Sequence, residues 1–281
     1  MKFIRELYIA GKTIMVKEKH KKKKSEGQKR SPKTMPTTEQ VWEANLRQAI
    51  FRLTLILNTN FKLGDWNLEL TFAEELTIDE VKMAKDRFTR KLRDLCQKEG
   101  ILLKWVIVPH IAGKKYHFHL ICNQEVPLAI IKKAWVKGHV IEKSHLWDNP
   151  NYYRLAFYLM HEARALKAKK DEEEIPFTKR FSTSRTCVMP DGKREEIARG
   201  TIESDPKPFK GYLIDGEVQQ YENLINGAPC REYIQVSYED EPRIRKWYKG
   251  TMTTGERMPF VKMLREAYKE YQESMFDSLT Y

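Results

Sequence analysis

Leu102-Leu103-Lys104-Trp105-Val106-Ile107-Val108-Pro109-His110-Ile111-Ala112-Gly113-Lys114-Lys115-Tyr116-His117-Phe118-His119-Leu120-Ile121-Cys122 is the stretch whose reading decides the fold. Residues 102–108 are apolar and rich in β-branched types, which fits a buried strand. Ala112-Gly113-Lys114 is a turn signal, and residues 116–122 resume as a second strand, so the two form a hairpin. His117 and His119 are two residues apart on a strand and project to the same face, while Tyr116, Phe118 and Leu120 enter the core. His110 ends the first strand, and the turn can fold it back beside His117. Two neutral imidazoles at this spacing can chelate one divalent ion, and a third ligand across the turn strengthens the set. On a polar strand face an isolated pair of histidines also arises without a metal.

Working outward, residues 37–57 carry Val41, Ala44, Leu46, Ile50, Leu53 and Ile56 at helical spacing, with Thr38 as N-cap. Residues 66–72 alternate strictly, with Trp66, Leu68, Leu70 and Phe72 facing one way, which makes a half-buried strand. Thr77 and Glu80 form a capping box that opens a helix running to about Glu99, stopped by Gly100. A short helix follows at 127–136, closed near Gly138, and a longer one at 151–169 with Leu155, Leu159, Ala163 and Leu166 on one stripe. A further strand is expected at 233–238 and a terminal helix around 257–274. The order strand, helix, hairpin, helix, helix predicts an α+β fold, a central antiparallel sheet with helices packed mainly on one face.

The chain has 281 residues, 51 Lys and Arg against 39 Asp and Glu, and a formal net charge of +12, which favours a polyanionic partner. Nine of these net positive charges fall in residues 1–35, so residues 1–36 are expected to be a basic flexible arm, either adding phosphate contacts or serving as a solubilising tail. No stretch of about 18 apolar residues occurs, since Arg52 and Thr54 interrupt the best candidate, so no membrane partner is expected. The N-terminal residues lack the pattern of a secretory signal, and Cys96, Cys122, Cys187 and Cys230 are widely spaced with no CxxC pair, which fits a reducing cytoplasm rather than a disulfide framework or zinc ribbon. No Walker-type phosphate loop is present.

Six of the seven histidines lie between residues 110 and 161. The stretch Lys114-Lys115-Tyr116-His117-Phe118-His119-Leu120-Ile121 resembles the histidine–hydrophobe–histidine motif of HUH endonucleases. The chain is more closely similar to replication-associated proteins of bacterial plasmids, phages and integrated elements, related to the gene II-type initiators of filamentous phages. Supporting pieces, in order, are Asn58-x-Asn60-Phe61, Leu68-Glu69-Leu70-Thr71-Phe72, Val106 to His110, Trp135-x-Lys137-Gly138-His139-Val140, Leu155-Ala156-x-Tyr158-Leu159 and Arg180-Phe181-Ser182-x-Ser184-Arg185. The coverage is roughly residues 40–190; each piece is short, and the specificity lies in their order.

The resemblance implies an HUH-type endonuclease domain at 37–190, with 191–281 as a C-terminal extension of unassigned role. It implies metal-dependent nicking and joining of single-stranded DNA that starts rolling-circle replication in a bacterial cytoplasm. Tyr158 matches the nucleophile position, with Tyr152 and Tyr153 as rivals on the same helix. A divalent ion, Mn²⁺ or Mg²⁺, on His110, His117 and His119 would polarise the scissile phosphate. Two departures stand out. His161, a second candidate catalytic residue one turn beyond Tyr158 that could steady the phenolate or a DNA phosphate, occupies the position where many relatives carry Lys. His110 occupies that of a carboxylate, with Glu69 as substitute ligand should His110 point away. Lys114, Lys115, Arg180 and Arg185 are the candidate DNA contacts; Arg180 and Arg185 fit a charged surface loop equally. The expected partners are single-stranded or hairpin origin DNA and, beyond it, a host helicase and polymerase. Two alternatives stay open: a transposase or mobilisation relaxase with the same chemistry, and an origin-binding protein without cleavage, which a buried Tyr158 remote from the histidines would favour.

Overall fold

In chain order the elements are β1 (Phe3–Ala10), β2 (Thr13–His20), α1 (Thr38–Asn60), β3 (Trp66–Thr71), α2 (Ile78–Lys98), β4 (Trp105–Ala112), β5 (Lys115–Cys122), α3 (Leu128–Ala134), β6 (Val140–His145), α4 (Tyr153–Ala168), β7 (Ser182–Thr183), β8 (Lys193–Ile197), α5 (Arg199–Glu203), β9 (Tyr212–Glu222) and β10 (Pro229–Ser237). The computed structural model describes residues 2–21, 38–112, 115–147, 150–168, 180–224 and 227–238. The expected terminal helix at 257–274 and the run 22–36 lie outside the described residues.

The fold is α+β with antiparallel sheets, the expected class, but there are two sheets rather than one. One has the order β6-β3-β5-β4-β7, the other β8-β1-β2-β10-β9. The histidine hairpin lies within the first, with Pro109 opposite Phe118 and Ile107 opposite Leu120. Alternation divides its side chains cleanly. Leu68, Leu70, Ile107, Phe118, Leu120 and Cys122 pack against α2 and α3 through Val81, Phe88, Leu92 and Ile131. Val106, Val108 and Ile121 take the opposite face, against Leu46, Leu53 and Leu57 of α1 and Leu155, Ala156 and Leu159 of α4. The helices are therefore shared between both faces of this sheet instead of gathering mainly on one. Both faces are hydrophobic at the centre of the sheet because β4 and β5 bury odd and even positions alike.

The capping box at the start of α2 is formed: the Glu80 carboxylate accepts from the Thr77 amide at 2.8 Å, and Thr77 Oγ1 accepts from the Glu80 amide at 3.4 Å. Gly100, at φ 65°, ends the chain's helical course as its position predicts.

The expected basic flexible arm at 1–36 is corrected over its first part. Residues 3–20 form a β-hairpin turned by Gly11-Lys12, with Gly11 at φ 58°. The expected C-terminal extension supplies β8, β9 and β10 to the same sheet, so the two ends of the described chain build one structure. The strand expected at 233–238 falls mostly within β10. Within this hairpin, charged side chains pair across strands. Arg5 stands opposite Glu18 and pairs with it at 2.7 Å. Arg231 of β10 reaches the same carboxylate at 2.6 Å and donates to the Thr201 carbonyl at 2.8 Å. Lys17 pairs with Glu232 at 2.6 Å, and Glu6 with both Lys19 and Arg194 at 2.8 Å.

Between the sheets lies α1. Its Leu46, Leu53 and Leu57 face the histidine sheet, while Phe51 and Leu55 pack on Ala10, Met15 and Ile234 of the other. A helix apolar around most of its circumference is one that is buried. Asn58 Nδ2 donates to Thr13 Oγ1 at 2.9 Å, and its Oδ1 accepts from the Tyr152 amide at 2.8 Å, so the start of α4 is tied to both α1 and the terminal hairpin.

Candidate metal centre and nucleophile

Along the α1/α4 face of the histidine sheet, Val106, Val108 and Ile121 give way to His110, His119 and His117 as the hairpin nears its turn. His110 stands directly opposite His117, and Val108 opposite His119. His110 is 1% and His119 5% exposed, while His117 is half-buried. The ring centroids are 4.3 Å (His110–His119), 5.2 Å (His117–His119) and 5.4 Å (His110–His117) apart. One ring nitrogen from each lies within 4.8 Å of the others, so the three could hold a metal ion.

The main chain fixes the ring of His110. Its Nε2 lies 2.7 Å from the Leu159 main-chain carbonyl. A carbonyl only accepts, so the hydrogen sits on Nε2 and, in the neutral ring, Nδ1 carries the lone pair. That is the state a ligand needs, with the opposite nitrogen fixed by an acceptor. The donor chemistry therefore fits a divalent ion.

Because His110 points into the cluster, Glu69 is not needed as its replacement. Glu69 stands opposite His119 on β3, and its carboxylate pairs with Lys143 of β6 at 2.7 Å. Burial works to raise the Glu69 carboxyl, but the Lys143 hydrogen bond and the neighbouring His117 and His119 outweigh it and hold it below the usual carboxylate range.

Three tyrosines near the start of α4 are separated by their surroundings. Tyr152 is 3% exposed and its hydroxyl donates to the Trp147 carbonyl at 3.2 Å. Tyr153 accepts a hydrogen bond from Gln219 of β9, and burial pushes its phenol up. Tyr158 is 50% exposed, with its ring 6.2 Å from that of His119 and nearly perpendicular to it. The structure thus brings Tyr158, and neither rival, to the histidines. Leu155, Ala156, Leu159 and Met160 anchor α4 in the core and leave Tyr158 on its flank.

The other expected residues are scattered. His161 lies one turn beyond Tyr158, but its ring stacks on Phe157 at 4.3 Å. Lys115 is exposed at the start of β5 and shares the face of His117, two residues on. Lys114 lies outside the described residues. Arg180 sits 4.7 Å from the Trp42 ring at the start of α1. Arg185 follows Ser184, whose amide bonds the Trp105 carbonyl at the far end of β4, so about five residues, or roughly 16 Å of strand, separate that region from His110. Neither arginine is brought to the cluster. His139 and His145 serve the scaffold: the His139 carbonyl accepts from the Thr71 amide, and the His145 ring packs at 4.4 Å on Trp66.

Sequence reasoning missed Lys143 and the Leu159 carbonyl. The first sits on β6, an exposed edge strand with no apolar alternation, and the second is a backbone atom that no side-chain pattern announces. Among the described residues, no helix is long and apolar enough to cross a membrane. Comparison with protein-family models, curated proteins and solved structures found no match.

Proposed function

We propose that the protein is a metal-dependent endonuclease that nicks and joins single-stranded DNA through a 5′-phosphotyrosine, and that it initiates rolling-circle replication of a mobile element. The observation that carries this reading is an accessible phenol, Tyr158, 6.2 Å ring to ring from His119 in a three-imidazole cluster. The resemblance to HUH endonucleases, made by the ordered motifs, supports the same residues in the same roles.

In this reading the Tyr158 oxygen attacks the scissile phosphorus. A bond forms between phosphorus and Tyr158, the bond to the 3′ oxygen breaks, and that fragment leaves as a 3′ hydroxyl carrying one proton, matching the proton lost by the phenol. A free phenol has a pKa near ~10, so the attack needs electrophilic help. His110, His117 and His119 would hold a divalent ion, which would supply that help by polarising the phosphate. Three imidazoles are softer than a carboxylate-containing set, which favours Mn²⁺ over Mg²⁺. His110 is held in its donor tautomer by Leu159, Glu69 and Lys143 set the charge beside His119, and Lys115 offers a cation on the same face for phosphate. Because the phosphotyrosine keeps the phosphodiester's energy, a later strand can reverse the bond and rejoin the DNA.

The test is a denaturing-gel assay of the full chain with single-stranded origin-derived and random oligonucleotides, in Mn²⁺, Mg²⁺ or chelator. A covalent protein–DNA adduct is expected with metal and not with chelator. Tyr158→Phe abolishes it while DNA binding persists; Tyr152→Phe and Tyr153→Phe retain it. A normal adduct from Tyr158→Phe overturns the nucleophile assignment. DNA binding without an adduct under any metal would instead mark a non-cleaving origin-binding protein.

A further inference from the structure

The outer surface of α4 carries, beside Tyr158, side chains that neither the metal cluster nor the hydrophobic core uses. Leu155, Ala156, Leu159 and Met160 point inward, which leaves Arg154, Phe157, Tyr158 and His161 outward. At 100° per residue, Arg154 and His161 form the crest, Tyr158 the shoulder toward His119, and Phe157 the opposite shoulder. Arg154 lies one helical turn, about 6 Å along the axis, before Tyr158.

Phe157 is 41% exposed. A lone exposed phenylalanine needs no explanation, but this one is part of an ordered row. Its ring lies 4.3 Å from that of His161 and 6.1 Å from that of Tyr153, each at an interplanar angle of 38°. Tyr153 is itself held by Gln219. The Phe157 ring is therefore braced between two others, with much of its surface open to solvent, one residue from the proposed nucleophile.

We infer that this surface is a subsite for the single-stranded DNA flanking the scissile phosphate, in which a nucleobase stacks on Phe157 and Arg154 meets a backbone phosphate. The inference rests on the nicking function proposed above and deepens it. An aromatic face beside a cation accepts any base through its π-surface and any nucleotide through its charge, the combination that binds single strands without reading base edges. A strand whose scissile phosphate is at Tyr158 crosses the crest of α4 between Arg154 and His161 and arrives at Phe157. His161 acts here as a positioning residue: its ring braces Phe157, a different task from the lysine that relatives carry at that place.

The experiment uses the full chain carrying Tyr158→Phe, so that cleavage does not intervene, and oligodeoxynucleotides with 2-aminopurine at successive positions. Quenching of 2-aminopurine is expected at one position near the nick. Adding Phe157→Ala should abolish that quenching and weaken binding roughly tenfold, while Phe157→Trp restores both. Adding Arg154→Ala should reduce the slope of log affinity against log salt by about 0.7, the value for one single-strand phosphate contact. Both sites are exposed, and unchanged thermal unfolding certifies the fold. If the Tyr158-bearing protein forms the adduct but Phe157→Ala alters neither quenching nor affinity, this inference is overturned and the proposed function stands. If that protein neither binds single strands nor forms the adduct, both fall together.

Discussion

The His110 imidazole and the Leu159 main-chain carbonyl meet at 2.7 Å, joining the histidine hairpin to the helix that carries Tyr158. One bond thus selects the tautomer of a candidate ligand and sets the height of α4 against β4. The same contact positions both the His110 ring and the turn of α4 next to Tyr158.

Metal binding should be read directly as stability. An ion that binds the folded chain alone adds about 2.7 kcal/mol at a hundred times its Kd. Thermal unfolding of the full chain is expected to shift upward on Mn²⁺ titration, and His110→Ala to remove the shift. An equal Mn²⁺ response in that variant would show that these imidazoles do not hold the ion.

Glu18 is fully buried between Arg5 and Arg231, at 2.7 and 2.6 Å. Glu18→Gln takes a buried counter-charge from both guanidinium groups, with Arg5 keeping its ion pair to Glu195 at 3.0 Å. Breaking such a group from one side costs about 3–5 kcal/mol, so the urea midpoint should fall accordingly. A loss below about 1 kcal/mol would mean that the terminal sheet does not depend on this carboxylate.

Asp65, 1% exposed, accepts from the Lys62 and Gln124 amides, yet burial dominates and raises its carboxyl to about 6. Its unfolded value is ~3.9, so between roughly pH 4 and 6 the folded state binds the extra proton. Its contribution is most favourable below about pH 4 and is lost as pH rises through 6, an effect of about 2 kcal/mol. The unfolding free energy of wild type minus that of Asp65→Asn should fall by this amount from pH 4 to pH 7. Parallel pH curves would refute it.

Gly138 sits where β3 meets the segment leading into β6. A Cβ there would lie 2.1 Å from the Thr71 carbonyl oxygen and 2.8 Å from the Ala73 amide nitrogen, both backbone atoms with little freedom to yield. Thr71 stands opposite His117 and its carbonyl accepts from the Trp135 indole at 3.0 Å. Gly138→Ala is expected to cost about 1–3 kcal/mol and to weaken Mn²⁺ binding by displacing the strand beside His117. Wild-type stability and metal response in that variant would show the close approach to be relaxed in solution.

Which features were legible follows from how far their information reaches along the chain. The β4–β5 strand pairing and the Thr77–Glu80 capping box are encoded within a few residues, and both form as their local chemistry dictates. The first hairpin carries the same Ala-Gly-Lys turn, at Ala10-Gly11-Lys12, with alternating Leu7, Ile9, Ile14 and Val16 around it. Its charged positions obscured the pattern, because Arg5, Lys17 and Glu18 read as solvated until Arg231 and Glu232 are known to lie beside them.

By itself, the chain's order of residues determined the α+β class, the histidine hairpin and the helix that bears Tyr158, since each depends on periodicity and turn chemistry within a single segment. Tertiary structure alone decided that helices cover both faces of the histidine sheet, that Tyr158 rather than Tyr152 or Tyr153 meets the cluster, and that the two ends share a second sheet. Those outcomes depend on burial and charge pairing between residues up to about two hundred positions apart, as for Glu18 and Arg231. No local pattern carries such pairings; the packed core selects them.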